Sequence, residues 1–211
     1  MDAVKLVRVG KEFKGIWVLE DVSISLPSGG IYGIVGRNGT GKTVFLKLIA
    51  GLIKPTAGEV WVDEKKLTKE TPIPDSIGVV IEVPGFLPNL SGYKNLKYLA
   101  SMKNQIGDSE IRKAMERLGL DPKEHKRVGS YSLGMRQKLG IAQAIMENPE
   151  LLLLDEPMNG LDEASVAKVK NILLDYKKTG KTVILASHHK DDINELCDKV
   201  YEMNEGRVIP K

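Results

Sequence analysis

Gly36-Arg37-Asn38-Gly39-Thr40-Gly41-Lys42-Thr43 is the stretch that decides the fold, because its glycine spacing and its Lys-Thr ending form a complete phosphate-binding loop pattern. The apolar run at residues 30–35 before it is typical of a buried strand, and residues 44–50 after it predict a helix that ends at Gly51. A chance glycine-rich turn is disfavoured, since all eight positions match between the expected strand and helix.

Each residue type in this loop has a physical reason. Gly36, Gly39 and Gly41 are expected to adopt backbone angles that side chains forbid, so that successive N–H groups turn towards a phosphate at a helix N-terminus. Lys42 adds a positive charge for the β- and γ-phosphates, and Thr43 offers a hydroxyl to Mg²⁺, which prefers oxygen ligands. The sequence therefore predicts a site for a nucleotide with Mg²⁺.

Composition limits the class of protein. A chain of 211 residues favours one substantial α/β domain, and a net charge of +3 with 28% charged residues gives no reason to expect a nucleic-acid partner. The single cysteine, Cys197, excludes an intrachain disulfide and fits a reducing compartment, most simply as a small buried hydrophobe. With no apolar segment of about 20 residues and no signal-peptide pattern, we expect a soluble, cytoplasmic protein that meets a membrane only through a partner.

The order of elements predicts an α/β fold. Two β-rich stretches at the start predict an antiparallel sheet, and residues 91–148 are helical in pattern, which predicts an inserted helical subdomain over about 86–148 within a single domain of residues 1–211. The predicted class is a P-loop NTPase core with a mixed central sheet, an N-terminal antiparallel β-subdomain and that helical insertion. The predicted strands are at 6–9, 18–26, 30–35, 59–63, 77–81, 151–154 and 182–187, and the predicted helices are at 44–50, 95–102, 109–118, 135–147, 162–178 and 191–197.

Four consecutive leucines at 151–154 run into Asp155 and Glu156. This pattern is typical of a strand that is buried on both faces and carries two carboxylates to its C-terminal end. Ligands of open α/β sheets bind at the carboxyl ends of the strands, so we expect both acids beside the glycine loop. Asp155 suits Mg²⁺ coordination, and Glu156 is placed to polarise an attacking water. A helix cap or a solvated pair is the alternative, which is disfavoured directly after an all-leucine strand.

Two further positions are candidates for contact with a nucleotide. His188 and His189 follow the strand at 182–187, and a histidine at this edge is suited to sensing a γ-phosphate, although a lone histidine is more often an ordinary surface or core residue. Phe13 lies in a predicted charged turn at 11–15 and is a candidate to stack on an adenine ring. Trp17 is the rival for that role, and either aromatic could be ordinary packing.

The segment Tyr131-Ser132-Leu133-Gly134-Met135-Arg136-Gln137 lies shortly upstream of Asp155. With the motifs above, it makes the chain resemble an ABC-transporter ATP-binding subunit over nearly its full length. The segment is similar to the family's signature motif, whose usual leucine-serine-glycine-glycine-glutamine wording is altered here, although Ser132 and Gly134 are retained. A serine hydroxyl and a bare glycine at a helix N-terminus can form a second anion site. Taken alone, Ser132 would be an ordinary helix N-cap.

The resemblance implies partners and further site residues. In the family the signature motif binds the γ-phosphate held by a partner subunit, which implies a head-to-tail dimer of this chain with itself or a related cassette, with two ATP molecules between the subunits. Separate transmembrane permease subunits are also implied, and they would hold the chain at the inner face of the cell membrane. Residues 159–162 resemble the loop that joins the two active sites. His188 resembles the switch histidine and is preferred to His189, because it directly follows Ser187 and Asp192 lies four residues later.

Glu82 departs from the family pattern, in which a glutamine occupies the lid loop that contacts Mg²⁺ and the membrane subunit. A carboxylate can also meet Mg²⁺ or its water shell, so we expect Glu82 in the metal site with Thr43 and Asp155. A solvated loop glutamate is the alternative. Together with residues 84–86 and 89–90 and the altered signature, Glu82 makes the chain resemble bacterial multidrug and lantibiotic or bacitracin-type exporters.

The expected function is therefore ATP hydrolysis that drives export by separate transmembrane subunits. A small-molecule P-loop kinase is one alternative, but it would leave residues 132–137 without a role. A soluble ABC-type ATPase outside transport is another. Such proteins generally need tandem cassettes or long coiled-coil arms, and neither fits in 211 residues.

Overall fold

Two β-sheets and six α-helices make up the part of the chain that the computed structural model describes, residues 1–82, 84–188 and 190–211, with the side chains of 190–192 left aside. The strands are β1 (Asp2–Phe13), β2 (Ile16–Pro27), β3 (Ile31–Val35), β4 (Ala57–Val62), β5 (Lys65–Lys66), β6 (Ile77–Val80), β7 (Leu151–Asp155), β8 (Thr182–Ser187), β9 (Lys199–Asn204) and β10 (Arg207–Pro210). The helices are α1 (Lys42–Ile49), α2 (Gly92–Lys103), α3 (Asp108–Arg117), α4 (Leu133–Ile145), α5 (Glu163–Lys178) and α6 (Lys190–Leu196).

The central sheet has six strands in the order β10-β9-β3-β8-β7-β6. Strands β9, β3, β8, β7 and β6 are parallel to their neighbours, and β10 closes the edge as an antiparallel hairpin with β9. The predicted mixed sheet is therefore confirmed. Because β3, β7 and β8 run in the same direction, the segments that follow Val35, Asp155 and Ser187 emerge at the same edge.

The core lies on both faces of this sheet. Leu151 and Leu153 pack on the side of α1 and the antiparallel sheet, whereas Leu152 and Leu154 pack on the side of the remaining helices. All four leucines are fully buried. Alternating side chains point to opposite faces of a strand, so a continuous leucine run is what a strand covered on both faces requires.

The second sheet is antiparallel, with the order β2-β1-β4-β5, as predicted for the start of the chain. Its first hairpin differs from the expectation in one respect. Lys14 and Gly15 both have positive φ, 51° and 83°, as in a primed two-residue turn. Because this turn needs only two residues, Phe13 pairs with Ile16 at the end of the strands. The predicted turn over residues 11–15 is confirmed at Lys14 and Gly15 and was wrong for residues 11–13, which belong to β1.

A helical segment, α2 to α4, lies between β6 and β7 where the sequence predicted one. Ser91 begins α2 as an N-cap, since its hydroxyl accepts a hydrogen bond from the backbone N–H of Lys94 at 3.3 Å. The buried Asn95 side chain accepts from the N–H of Leu87 at 2.8 Å and donates to its carbonyl at 3.1 Å. These bonds fix the loop that enters the helical segment from the central sheet.

Gly78 of β6 tests the packing of the helical segment on the sheet. A Cβ atom at this position would lie 2.1 Å from the carbonyl oxygen of Ala144 in α4 and 2.8 Å from Cγ of Pro149. We expect Gly78→Ala to lower the free energy of unfolding by about 1–3 kcal/mol, because backbone atoms of α4 would have to move away. Gly85→Ala is the control, since no heavy atom lies within 4 Å of the added methyl group. Equal urea unfolding curves for the two variants would contradict this packing.

Candidate active site

The three glycines of the phosphate-binding loop serve different purposes. Gly39 and Gly41 have positive φ, 81° and 104°, the region that favours glycine. Gly36 does not, and the expectation that it also needs a special backbone angle was wrong. A Cβ on Gly36 would instead lie 2.6 Å from the carbonyl oxygen of Met203 and 2.7 Å from Oγ1 of Thr40. Gly36 is therefore required by the close approach of β9 to the loop.

Lys42 is buried inside the loop. Its Nζ donates to the carbonyl oxygens of Gly36 at 2.7 Å and Arg37 at 3.1 Å, and the Thr40 hydroxyl donates to the same Arg37 oxygen at 2.9 Å. The ammonium thus lies at the centre of a curled backbone. The adjoining cavity of about 350 Å³ is lined by Val18, Asn38, Gly39, Gly41, Lys42, Thr43, Val44, Asp155 and Glu156.

Thr43 and Asp155 form the part of this cavity that could hold a metal. The Thr43 hydroxyl donates to Oδ2 of Asp155 at 2.5 Å. Burial raises the pKa of the Asp155 carboxyl, and the charge of Glu156 raises it further, while the Thr43 hydrogen bond opposes the shift. A bound cation would favour the ionised form. Among the described residues no group of three or more His, Cys, Asp or Glu side chains could hold a metal alone, so Mg²⁺ here would also need water or phosphate oxygens.

Glu156 is held by the end of β8. Its Oε2 accepts from the Ser187 hydroxyl at 3.1 Å, and its Oε1 lies 3.0 Å from the backbone N of His188 and 2.7 Å from Nδ1 of the same residue. The φ of Glu156 is 48°, so its backbone is in the left-handed region. The structure therefore brings together the two predicted catalytic residues. His189 and the side chain of Asp192 lie outside the described residues.

Gln137 is a site residue that the sequence reasoning missed. Its Nε2 donates to the carbonyl oxygens of Glu156 at 3.3 Å and Pro157 at 3.2 Å, which ties α4 to the strand end that carries the carboxylate. The sequence feature that could have indicated Gln137 is its position as the last residue of the segment 131–137. Its two acceptors are 19 and 20 residues away in sequence, and no local pattern indicates them.

Ser132 and Gly134 do not line the cavity that contains Lys42. The Ser132 hydroxyl accepts from the backbone N–H of Met135 at 3.2 Å, so Ser132 is the N-cap of α4. A Cβ on Gly134 would lie 2.7 Å from the carbonyl oxygen of Gly160. The start of α4 therefore packs directly on the loop at 159–162 while remaining outside the phosphate-binding cavity.

The two aromatic candidates differ in their surroundings, and neither lines the phosphate-binding cavity. The Trp17 ring covers Gly10, where an added Cβ would lie 2.7 Å from Cζ3 of the indole. Phe13 is 44% exposed, and Nζ of Lys11 lies 4.9 Å from the centre of its ring. Both rings are about half exposed, Trp17 at 47%, but Trp17 packs on Gly10 within the antiparallel sheet, whereas Phe13 lies at the tip of the hairpin beside Lys11.

Glu82 lies just after β6 with a φ of 61°. Its Oε1 forms an ion pair with Nζ of Lys47 in α1 at 2.6 Å, and the side chain is not part of the cavity that Thr43 and Asp155 line. The structure therefore places the Glu82 carboxylate against Lys47 of α1 rather than against the two proposed metal ligands.

A family model and individual relatives match this chain to the same protein family. Residues 19–159 match the family model described as ABC transporter. An uncharacterized ABC transporter ATP-binding protein of Bacillus subtilis (strain 168), YybJ, is 43% identical over 205 residues, which cover 97% of this chain and 94% of that protein. None of the described helices is long and apolar enough to cross a membrane.

Two further relatives have names that specify a transported compound. The bacitracin transport ATP-binding protein BcrA of Enterococcus faecalis is 38% identical over 94% of this chain, which spans only 65% of that protein. The lantibiotic transport ATP-binding protein SrtF of Streptococcus pyogenes is 32% identical over 98% of this chain and 89% of its own length.

Among solved structures, this chain superimposes on the ATP-binding cassette MJ0796 with a TM-score of 0.89 at 26% identity, covering 97% of this chain and 96% of that chain. That structure is a dimer in a post-hydrolysis state bound to ADP and Pi.

Replacing Gln137 tests its link to the strand end. We expect Gln137→Ala to lower the free energy of unfolding by about 1 kcal/mol, because the carbonyl oxygens of Glu156 and Pro157 lose their side-chain donor. ATP turnover should fall as well, since the backbone that carries Glu156 is less fixed. Gln105→Ala, at an exposed position, is the control for urea unfolding and turnover. A Gln137→Ala variant equal to this control in both measurements would remove Gln137 from the site.

Proposed function

This chain is an ATP-binding protein of the ABC transporter family, and we propose that it is the ATP-hydrolysing subunit of an exporter. Two copies, or one copy with a related cassette, would close around two ATP molecules and thereby move separate transmembrane permease subunits. The observation that carries the proposal is the position of the Glu156 carboxylate, which lines the same cavity as Lys42 and Asp155 and is fixed by Ser187 and His188.

ATP binding is assigned to residues 36–43. The backbone N–H groups of the loop and of the N-terminus of α1 would donate hydrogen bonds to the phosphates, and the Lys42 charge would face the β- and γ-phosphates. Thr43 and Asp155 would hold Mg²⁺, which when bound offsets the negative charge of the phosphates. Phe13 would stack on the adenine, because the Trp17 ring already packs on Gly10.

Hydrolysis is assigned to Glu156 and His188. Glu156 would accept the proton of the water that attacks the γ-phosphate, since its carboxylate is held at the mouth of the phosphate cavity by β8. Asp155 is assigned to Mg²⁺ instead, because its Oδ2 lies beside the Thr43 hydroxyl, the other proposed metal ligand. His188 lies 2.7 Å from the Glu156 carboxylate and would fix its orientation and contact the γ-phosphate.

The dimer is proposed because the second anion site is separate from the first. Ser132 and Gly134 lie outside the cavity of Lys42, so each would contact the ATP that a partner subunit holds. The 159–162 loop connects the two sites within one chain: the N–H of Asn159 donates to the carbonyl of Glu156 at 3.2 Å, and Gly160 packs on Gly134. The dimeric form of MJ0796 supports this arrangement.

Export is proposed on the names of the relatives. BcrA and SrtF are named for bacitracin and lantibiotic transport, so we assign this chain to a transport system of that kind. Glu82, which pairs with Lys47 here, would have to turn from that pair to contribute to the metal site, and it would also contribute to the contact with a permease. The subunit would act in the cytoplasm, bound to the inner face of the membrane through its permease, with residues of about 86–148 forming a helical subdomain of one ABC domain.

Glu156→Gln tests the catalytic assignment. The amide keeps the shape of the side chain but loses the basicity needed to polarise water, so we expect ATP to bind, turnover to fall by at least about 100-fold and a dimer to accumulate. Size-exclusion chromatography with light scattering in Mg²⁺-ATP measures the dimer, and Glu116→Gln, an exposed change on α3, is the control. Ser132→Arg added to Glu156→Gln should abolish the dimer. Normal turnover in the single variant, or a dimer that survives Ser132→Arg, would contradict the assignment.

Copurification tests the transport assignment. We expect the affinity-tagged chain, extracted gently from its native cells, to carry transmembrane proteins in stoichiometric amounts, identified by mass spectrometry. The Ser132→Arg variant should retain them if the permease binds another face of the chain. Recovery of ribosomal or DNA-bound proteins without membrane subunits would favour the soluble ABC-type ATPase instead.

A further inference from the structure

One face of α1 is tied to the ends of two neighbouring strands. Thr43 and Lys47 are four residues apart in a helix and so lie one above the other on the same face. Thr43 is bonded to Asp155 at the end of β7, and Lys47 is paired with Glu82 just after β6. Because β6 and β7 are adjacent and parallel, with Val80 opposite Leu154, the two acids leave the sheet at the same edge.

The two partners of the ion pair differ in exposure. The Lys47 side chain is 25% exposed, whereas that of Glu82 is 63% exposed, so the lysine is the fixed partner and the carboxylate is the one with room to move. The backbone of Glu82 adopts a φ of 61°, in the left-handed region that is unfavourable for a non-glycine residue. The pairing with Lys47 offsets part of this cost. Lys47 thus holds Glu82 in its present position.

The carboxylate is nevertheless close enough to affect the proposed metal ligand. Burial is the main cause of the raised pKa of Asp155, and the negative charge of Glu82 adds a smaller contribution in the same direction. A cation between Thr43 and Asp155 would therefore attract the Glu82 carboxylate, which already neutralises Lys47. One carboxylate cannot interact with both cations as strongly as it would with either cation alone.

We propose that Lys47 is a positioning residue that acts through Glu82. Lys47 holds the carboxylate on α1, and a Mg²⁺ ion at Thr43 and Asp155 must compete with the lysine for it. The position of the Glu82 side chain is thereby linked to occupancy of the metal site. This inference rests on the proposed function, because it requires that the cavity takes Mg²⁺ with a nucleotide.

The test is a double-mutant cycle on the complete chain. The measured quantity is the ratio of the dissociation constants of a fluorescent methylanthraniloyl derivative of ATP in EDTA and in saturating Mg²⁺, which reports the gain in affinity that Mg²⁺ provides. We expect Lys47→Gln to increase this ratio by about two- to fivefold, which corresponds to the strength of a partly exposed ion pair. The reason is that Glu82, released from Lys47, can then interact with Mg²⁺. Glu82→Gln should not increase it, and Lys47→Gln should add nothing in the Glu82→Gln background.

Two controls separate this effect from a general loss of charge. Lys47→Arg keeps the ion pair and should keep the wild-type ratio. Lys65→Gln removes a lysine paired with Asp75 at 2.5 Å, a pair that lines a different cavity, and should also keep it. The dissociation constant in EDTA is measured without Mg²⁺, so its change in Lys47→Gln reports how far the lost positive charge by itself alters nucleotide affinity.

The outcomes distinguish the inference from the function on which it rests. If the wild-type chain fails to bind the nucleotide in either condition, the proposed function fails. If the nucleotide binds normally and Lys47→Gln leaves the ratio unchanged, or raises it equally in the Glu82→Gln background, only the inference is overturned. A raised ratio that depends on Glu82 supports it.

Discussion

The parallel pairing of β7 with β8 is the constraint on which the site depends. It sets Asp155 opposite Ala186, and the N–H of Glu156 donates to the Ala186 carbonyl at 2.8 Å. The register is strongly specified, because the four leucines before Asp155 are fully buried against two different layers. A slip of one residue would exchange those layers and move both carboxylates away from Thr43 and His188.

Two non-glycine residues at the same edge have a strained backbone. Glu156 and Glu82 both have φ in the left-handed region, and each is held there by a polar partner from another element, Ser187 and His188 in the first case and Lys47 in the second. Residues in such conformations persist only where the surroundings fix them, and they are concentrated at functional sites. At this edge, β8 thus fixes the Glu156 side chain and α1 fixes the Glu82 side chain.

The sequence predicted the parts of the site that a local pattern encodes. Such patterns occur in the loop at 36–43 and in the leucine strand that ends at Asp155 and Glu156. Because ligands bind at the carboxyl ends of parallel strands, these patterns were enough to predict that the loop and the two acids lie together. Gln137 and Lys47 were not predicted, because their partners lie 19 and 35 residues away and depend on how α4 and α1 pack. The turn predicted at 11–15 was wrong for residues 11–13 because strand pairing extended to Phe13 despite the charged residues around it.

The central claim, that each ATP site is built from two chains, is tested most directly by mixing two inactive variants. Lys42→Ala removes the phosphate-binding lysine and Ser132→Arg blocks the signature segment, so neither chain alone should hydrolyse ATP. In a mixed dimer, one site combines an intact loop from the Ser132→Arg chain with an intact signature from the Lys42→Ala chain. The account predicts that mixing restores ATP turnover that neither variant has by itself. Two folded variants that associate and remain inactive on mixing, or a Ser132→Arg chain that is fully active alone, would contradict it.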